Sequence, residues 1–171
     1  MRSLYTILAL GILLPLQAAA AQIEVTWQNP SGYHDMQSAG TNQTRFEQQV
    51  MAAFEREFTK LAAQLPAEQK LNITVTNLDL AGNVEFREAN GVMQEIRVVR
   101  DMDTPYMALS FVLVDAHGTV LMQGDEAIRG RQAGSGLTRT AQQRRRLGAP
   151  NLIEHESIML ESWFNQTFQG S

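Results

Sequence analysis

The sequence contains no cysteine among its 171 residues, and this absence excludes several classes of protein. Without cysteine there is no disulfide, no thiolate metal site, no cysteine nucleophile and no lipid attached through a cysteine after export. Histidine is also scarce, with three residues scattered along the chain. Apolar residues make up 44% and aromatic residues 7%, which is ordinary for a globular domain. The fold must therefore rely on its hydrophobic core.

The chain also lacks a strong charge of either sign. It carries 14 basic and 18 acidic residues, a net charge of −4. A nucleic-acid-binding protein usually has a basic surface with aromatic residues among the basic ones. This domain is mildly acidic, and its most basic stretch contains no aromatic residue, so it does not have these features. The glycine patterns that cradle phosphates and the glycine pattern around a catalytic serine are missing too. We therefore expect no cofactor, no bound metal and no nucleic acid partner.

The first residues have the order of a secretory signal peptide. Arg2 precedes an apolar stretch over residues 4–16, and small residues follow over 18–21. The apolar stretch is shorter than the roughly 20 residues that cross a bilayer as a helix. We predict that residues 1–21 are a signal peptide cut after Ala21 or Ala20. The mature chain is then periplasmic, without a transmembrane segment.

Hydrophobic periodicity divides residues 22–171 into the elements of one domain. Alternating apolar residues predict strands at 23–27, 71–80, 95–100, 106–114 and 119–124, with a bulge near Thr76 and Asn77. The strand at 106–114 is nearly all apolar, as in a central strand covered on both faces for most of its length. After Gly82 and Asn83, the stretch up to Gly91 shows no clear hydrophobic pattern.

Two stretches have the three-or-four-residue spacing of amphipathic helices. The first begins with a capping box, Thr44 with Glu47, and ends at Pro66. The second begins at Asn151 and buries Trp163 and Phe164. The order of elements predicts an α+β fold: a mainly antiparallel sheet of four to five strands, with both helices packed on one face.

A segment at about 129–149 has no periodicity and mixes glycine with arginine, so we predict a long loop. It contains no acidic residue and six arginines, namely Arg129, Arg131, Arg139, Arg144, Arg145 and Arg146. Arginine pairs well with phosphate and carboxylate groups, so these six are candidates for binding an anionic envelope component such as lipid phosphate. A solvated surface loop without a binding role is the commoner explanation of such a run of charges.

Acidic residues provide the other candidates. Glu154, His155 and Glu156 adjoin at the start of the second helix, but neighbours on a helix point about 100° apart, so the three cannot hold one ion. A helix N-terminus that favours acidic side chains explains the glutamates. Asp79, Asp101 and Asp103 are carboxylates that folding could bring together.

Several stretches resemble an uncharacterised family of exported bacterial proteins, domain of unknown function 3016, found mostly in Gram-negative bacteria. The resemblance rests on EVTWQNPSGYHD (24–35), FEQQVMAAFEREFTKLAAQLP (46–66), TNLDLAGNVEF (76–86), IRVVRDMDTPYMALSFVLVDAHG (96–118) and MLESWFNQTF (159–168). It implies a periplasmic location. It supplies no activity, ligand or catalytic residue.

The function favoured by these observations is a periplasmic binding or interaction module without catalysis. An export signal is joined to an absence of reactive groups in recognisable patterns. One alternative is a cell-envelope hydrolase that uses carboxylates such as Asp79, Asp101 or Asp103. Another is a purely structural accessory subunit, in which the helix that carries Trp163 and Phe164 docks on a partner such as an envelope protein.

Overall fold

The structure, a computed structural model, describes residues 21–40, 42–132 and 152–170. The predicted signal peptide lies outside these residues, apart from Ala21. The elements follow one another as β1 (Gln22–Trp27), α1 (Gln43–Ala62), β2 (Lys70–Asp79), β3 (Asn83–Ala89), β4 (Val92–Val98), β5 (Tyr106–Val114), β6 (Val120–Arg129) and α2 (Glu154–Phe164). A π-helical turn, Asn165–Gln169, extends α2. The predicted α+β class is confirmed.

The main sheet has four strands in the order β1-β2-β5-β6, and β3 and β4 form a separate hairpin. β5 runs antiparallel to β2 and β6, but β1 runs parallel to β2. The sheet is therefore mixed: the prediction of a mainly antiparallel sheet of four to five strands is right about β2, β5 and β6 and wrong about β1, while β3 and β4 lie outside this sheet. The reason is α1: this helix of 20 residues lies between β1 and β2 and returns the chain to the end of the sheet where β1 began.

Helix α1 forms because its apolar residues recur on one face and pack against the sheet. The buried residues include Val50, Phe54, Phe58 and Leu61, which follow one another at the predicted steps of three or four. The predicted capping box is wrong, because the helix begins one residue before Thr44.

The residue that caps α1 is Asn42, whose side-chain oxygen accepts the backbone N–H of Arg45 at 3.0 Å. Glu47 accepts a hydrogen bond from the side-chain amide of Gln43 at 2.7 Å. Asparagine is at least as good an N-cap as threonine, so its position decides where the helix starts.

Replacing Asn42 with alanine is expected to lower the free energy of unfolding by about 1 kcal/mol, because a helix N–H loses its acceptor. Thr44→Ala is the matched control and should change this free energy by less than about 0.5 kcal/mol. Urea unfolding followed by circular dichroism measures both. A larger loss in Thr44→Ala would reinstate the capping box.

The predicted bulge in β2 is confirmed. Val75 pairs with Leu109 and Asn77 pairs with Ala108, which leaves Thr76 as an extra residue between them. The Thr76 hydroxyl donates to the carbonyl oxygen of Ala108 at 3.2 Å. The extra residue shifts the alternation of side chains by one and returns the following leucines to the buried face.

Strand β5 has the predicted bounds and lies between β2 and β6. Its residues alternate between buried and half-buried, so only the helix-facing side is fully covered. Strand β6 continues to Arg129, five residues beyond the predicted end at Gly124, because β5 offers pairing partners along its whole length, up to Tyr106 opposite Arg129.

Both helices pack on the same face of the sheet and share one core. The Trp163 ring meets Phe111 of β5 edge to face at 5.8 Å between centroids. Trp163 and Phe164 are buried, as predicted. Both lie in the chain's own core, so a partner that docks on this helix would have to contact its other residues. Helix α2 begins at Glu154, and the predicted cap Asn151 lies outside the described residues.

The β3–β4 hairpin projects from the body of the domain. Strand β3 occupies the stretch before Gly91 in which the sequence shows no pattern. The pattern is absent because the outer hairpin buries little: the Phe86 side chain is 67% exposed. Its turn contains Asn90 and Gly91, both with positive φ (53° and 77°), as a tight hairpin turn requires.

Candidate functional site

An open cavity of about 970 Å³ lies between the first half of α1 and the start of α2. The chain that follows β2 and the end of β4 complete its lining, which includes Leu80, Ala81, Arg97 and Val99. The lining mixes charged, amide and apolar side chains. Concave surfaces of this size and composition are the usual setting for binding small molecules.

Helix α1 contributes two arginines to the cavity, Arg45 and Arg56. Their spacing of about three turns places them on one side of the helix, roughly 16 Å apart along its axis. Gln48, Gln49 and Ala52 line the cavity between them. Neither guanidinium forms an ion pair or hydrogen bond with any residue that the structure describes. This wall therefore carries two cations that are available to a ligand.

Helix α2 contributes Glu154, His155 and Glu156 to the opposite wall. Glu154 and Glu156 are buried, with 6% and 3% of their surface exposed. Within residues 21–40, 42–132 and 152–170, no three histidine or acidic side chains are placed to hold a metal ion. The preference of a helix N-terminus for acidic groups does not account for their burial, so this wall needs another explanation.

Glu156 is the most perturbed carboxyl of the cavity. Its Oε1 accepts the backbone N–H of Ala81 at 2.7 Å. Burial raises its pKa to about 7, while hydrogen bonds from the N–H groups of Ala81 and of Glu156 itself, and the charge of Arg97, oppose the rise. The charge of Asp79 adds to it. The cavity thus has a carboxyl that changes charge near neutral pH.

Arg97 connects the cavity to the β3–β4 hairpin. Its guanidinium binds both carboxylate oxygens of Asp35, at 2.8 and 3.1 Å, and donates to the carbonyl oxygens of Gly82 and Gln37 at 2.8 and 2.9 Å. The two side chains of the ion pair are only 19% and 16% exposed. Such a two-pronged pair fixes the orientation of both groups, so Arg97 has a structural role at the cavity edge.

The carboxylates considered for a hydrolase do not line this cavity. Burial raises the pKa of Asp79; the nearby charge of Asp35 adds to the rise, and those of His34, Arg97 and Arg129 oppose it. Asp101 and Asp103 lie in the turn after β4, where an Asp103 oxygen accepts the backbone N–H of Arg100 at 2.6 Å. Asp103 therefore has a local role in the turn.

The structure describes two of the six candidate arginines. Arg129 ends β6, and its guanidinium lies 4.7 Å from the centre of the Tyr106 ring. Arg131 is exposed just after this strand. The other four, Arg139, Arg144, Arg145 and Arg146, lie outside the described residues. The predicted arginine-rich loop therefore begins after Arg129, which belongs to the sheet.

The family model described as "Protein of unknown function (DUF3016)" matches residues 21–166. The chain belongs to this family. The match runs from the start of β1 into the π-helical turn after α2, so it includes every element that lines the cavity. It confirms the resemblance read from the sequence motifs. No curated protein matches the chain, and no solved structure does. No helix in the described part of the chain is long and apolar enough to cross a membrane.

Neither arginine of α1 belongs to a sequence motif, and the role at the helix N-terminus predicted for Glu156 does not explain its burial. A signal for Glu156 was present, because it follows Ile153 by three residues and precedes Leu160 by four, which places it on the buried stripe of α2. A signal for Arg45 and Arg56 was their spacing of three helical turns. That the two helices face each other across a cavity is a tertiary fact without a local signal.

Proposed function

We propose that this chain is a periplasmic, non-catalytic binding module that takes an anionic ligand in the cavity between α1 and α2. The observation that carries the proposal is the presence of two guanidinium groups, Arg45 and Arg56, on one wall of a concave surface, neither of which has an ion-pair or hydrogen-bond partner among the described residues. A guanidinium offers several N–H donors in a planar fork that fits a carboxylate or phosphate group.

The rest of the lining supports a ligand that is partly apolar. Gln48 and Gln49 add amide donors and acceptors beside the arginines, while Phe46, Leu80 and Val99 supply apolar surface. Charge interactions are stronger against the protein wall than in open solvent, because less water screens them. We infer an anionic group held at α1 and an apolar portion packed between the helices.

The periplasmic location rests on the sequence and the family. Strand β1 begins at Gln22, immediately after the predicted cleavage sites at Ala20 and Ala21. Removal of the signal peptide at either site would leave the first strand whole. This boundary supports export and cleavage, which mass analysis of protein recovered from the periplasm can test.

The double variant Arg45→Gln/Arg56→Gln is expected to weaken binding of anionic ligands by roughly tenfold or more, since each charge-assisted hydrogen bond contributes about 1–3 kcal/mol. The ligands are found by a thermal-shift screen of carboxylates and phosphates with apolar portions, and their affinities are measured by titration calorimetry. Binding should also weaken as salt is added.

The matched control is Arg87→Gln/Arg100→Gln, which removes the same charge from the hairpin, where both arginines pair with Glu85. This variant should bind like the natural protein. If the control and the cavity variant lose affinity equally, the effect comes from net charge and the proposed site is wrong.

A hydrolase of the cell envelope is the second candidate. It is favoured by one observation, the pKa of Glu156 near 7, which suits a general acid or base inside a cavity. This cavity is not lined by the carboxylates that the sequence suggests for a hydrolase, namely Asp79, Asp101 and Asp103. Hydrolysis of any cavity ligand during a prolonged incubation, lost in Glu156→Gln, would favour this candidate over simple binding.

The arginine-rich segment remains a proposed second contact with anionic envelope components. Arg131 is exposed and has the chemistry for it, and Arg139, Arg144, Arg145 and Arg146 carry the same charge in the sequence. Arg129 is less suited, because its guanidinium lies on the Tyr106 ring.

A further inference from the structure

The two helical walls of the cavity carry opposite charge. Arg45 and Arg56 lie on α1, and Glu154 and Glu156 lie on α2. Among the described residues, neither arginine forms an ion pair with Glu156. A ligand with a single negative charge would use only the wall of α1. The acidic wall of α2 therefore favours a ligand that also carries a positively charged group.

Glu156 is the acidic group that most needs such a partner. Its side chain lines the cavity and is only 3% exposed, yet it forms no ion pair with a described residue. One of its oxygens accepts the N–H of Ala81, and a carboxylate has room for further donors. A buried carboxylate without a cation is costly, so a ligand that brings one gains affinity.

The protein's own nearby cation is already engaged. Arg97 is the cation whose charge acts on Glu156, but its guanidinium is bound to Asp35 and to the carbonyl oxygens of Gly82 and Gln37. Moving it towards Glu156 would break the ion pair that holds the hairpin. A ligand can supply the positive charge that Glu156 lacks among the described residues.

We propose that the cavity binds a dipolar ligand, a short apolar peptide with free termini, whose carboxylate pairs with one of the two arginines of α1 and whose ammonium group hydrogen-bonds to Glu156. This inference rests on the proposed function, since it uses the same cavity and the same arginines. The volume of about 970 Å³ exceeds what one amino acid needs, and Phe46 and Val99 offer contacts for apolar side chains.

Ionisation of Glu156 makes this binding dependent on pH. The charged and titratable groups around it are Arg97 of β4, Asp79 of β2, Glu154 and His155 of α2, and the two arginines of α1. Below neutral pH the Glu156 carboxyl is protonated and the attraction for an ammonium group is lost. We expect affinity for the peptide to rise between pH 5.5 and pH 7.

The test uses three matched probes, trileucine, N-acetyl-trileucine and trileucine amide, each titrated into the purified protein by calorimetry. Trileucine should bind most tightly. Blocking either terminus should weaken binding by roughly tenfold or more, because either the buried Glu156 loses its ammonium partner or an arginine of α1 loses its carboxylate. Glu156→Gln should weaken trileucine by a similar factor, abolish the rise in affinity with pH, and leave N-acetyl-trileucine unchanged.

The arginine variant separates this inference from the proposed function. Arg45→Gln/Arg56→Gln should weaken trileucine and N-acetyl-trileucine alike, because both carry the carboxylate. If N-acetyl-trileucine binds as well as trileucine and Glu156→Gln has no effect, the dipolar ligand is refuted while anion binding stands. If no probe binds, the peptide class is refuted; if anions of the screen still require Arg45 and Arg56, the proposed function survives.

Discussion

Replacing Arg97 with leucine should lower the free energy of unfolding by about 3 kcal/mol or more. The substitution leaves the Asp35 carboxylate in a largely buried position without its cation, and it leaves two carbonyl oxygens without a donor. Removing one partner of a buried ion pair costs far more than removing a surface pair, because the remaining charge stays out of water. Urea unfolding at neutral pH gives the difference directly.

Arg87→Leu is the matched control, because Arg87 lies on the same hairpin and its ion pair with Glu85 is exposed. This change should cost no more than about 1 kcal/mol. Asp35→Asn combined with Arg97→Leu should recover part of the loss, since no unpaired charge remains. If Arg97→Leu and Arg87→Leu lower the free energy of unfolding equally, the buried ion pair stabilises the protein no more than the surface pair does.

Glu156 should make the protein less stable as the pH rises towards and beyond neutrality. Its pKa is about 7 in the folded protein, whereas the ordinary value for a glutamate in an unfolded chain is 4.5. Between these two pH values, the folded protein therefore holds a proton that the unfolded chain has released. The stability that this proton contributes is fully present below pH 4.5 and is lost as the pH rises through 7. A difference of this size corresponds to roughly 3 kcal/mol.

Glu156→Gln is expected to remove this loss. The glutamine keeps an oxygen for the N–H of Ala81 and carries no charge. The variant should exceed the natural protein's free energy of unfolding by less than about 1 kcal/mol at pH 5 and by about 3 kcal/mol at pH 8. Urea unfolding at both pH values is the measurement.

Glu161→Gln provides the control on the same helix, because Glu161 is exposed. It should leave the difference in stability between pH 5 and pH 8 as it is in the natural protein. A Glu156→Gln protein that is less stable than the natural one at pH 8 would show that the carboxylate is well stabilised in the folded state, which contradicts the raised pKa.

The sequence predicts those parts of the fold in which a local pattern and the tertiary structure agree. The stripe of α1 and the bulge at Thr76 are such cases, because burial on one face leaves a period that can be counted. Strand β3 has no buried face of that kind, and Phe86 is mostly exposed, so no period appears. The parallel pairing of β1 with β2 depends on where α1 packs, which no local pattern records.

The candidate site was less predictable than the fold. Arg97 appears in the sequence as one charged residue in a short strand, and its partner Asp35 lies 62 positions away. Glu156 resembled a residue that complements the helix dipole, although its place on the buried stripe indicated otherwise. The arginines at 129–146 form a run that is visible in the sequence, whereas Arg45 and Arg56 are separated along α1.

The hairpin of β3 and β4 has a consequence for motion. Its outer half exposes Phe86 and Met93, while Arg97 and Glu95 attach its base through Asp35 and the N–H of Gly40. A unit joined to the core by a few polar bonds opens at a lower free energy than the core itself. Because Arg97 also lines the cavity, the bonds that restrain this local opening also hold one edge of the cavity. We therefore expect a ligand to dissociate faster when the hairpin opens more often.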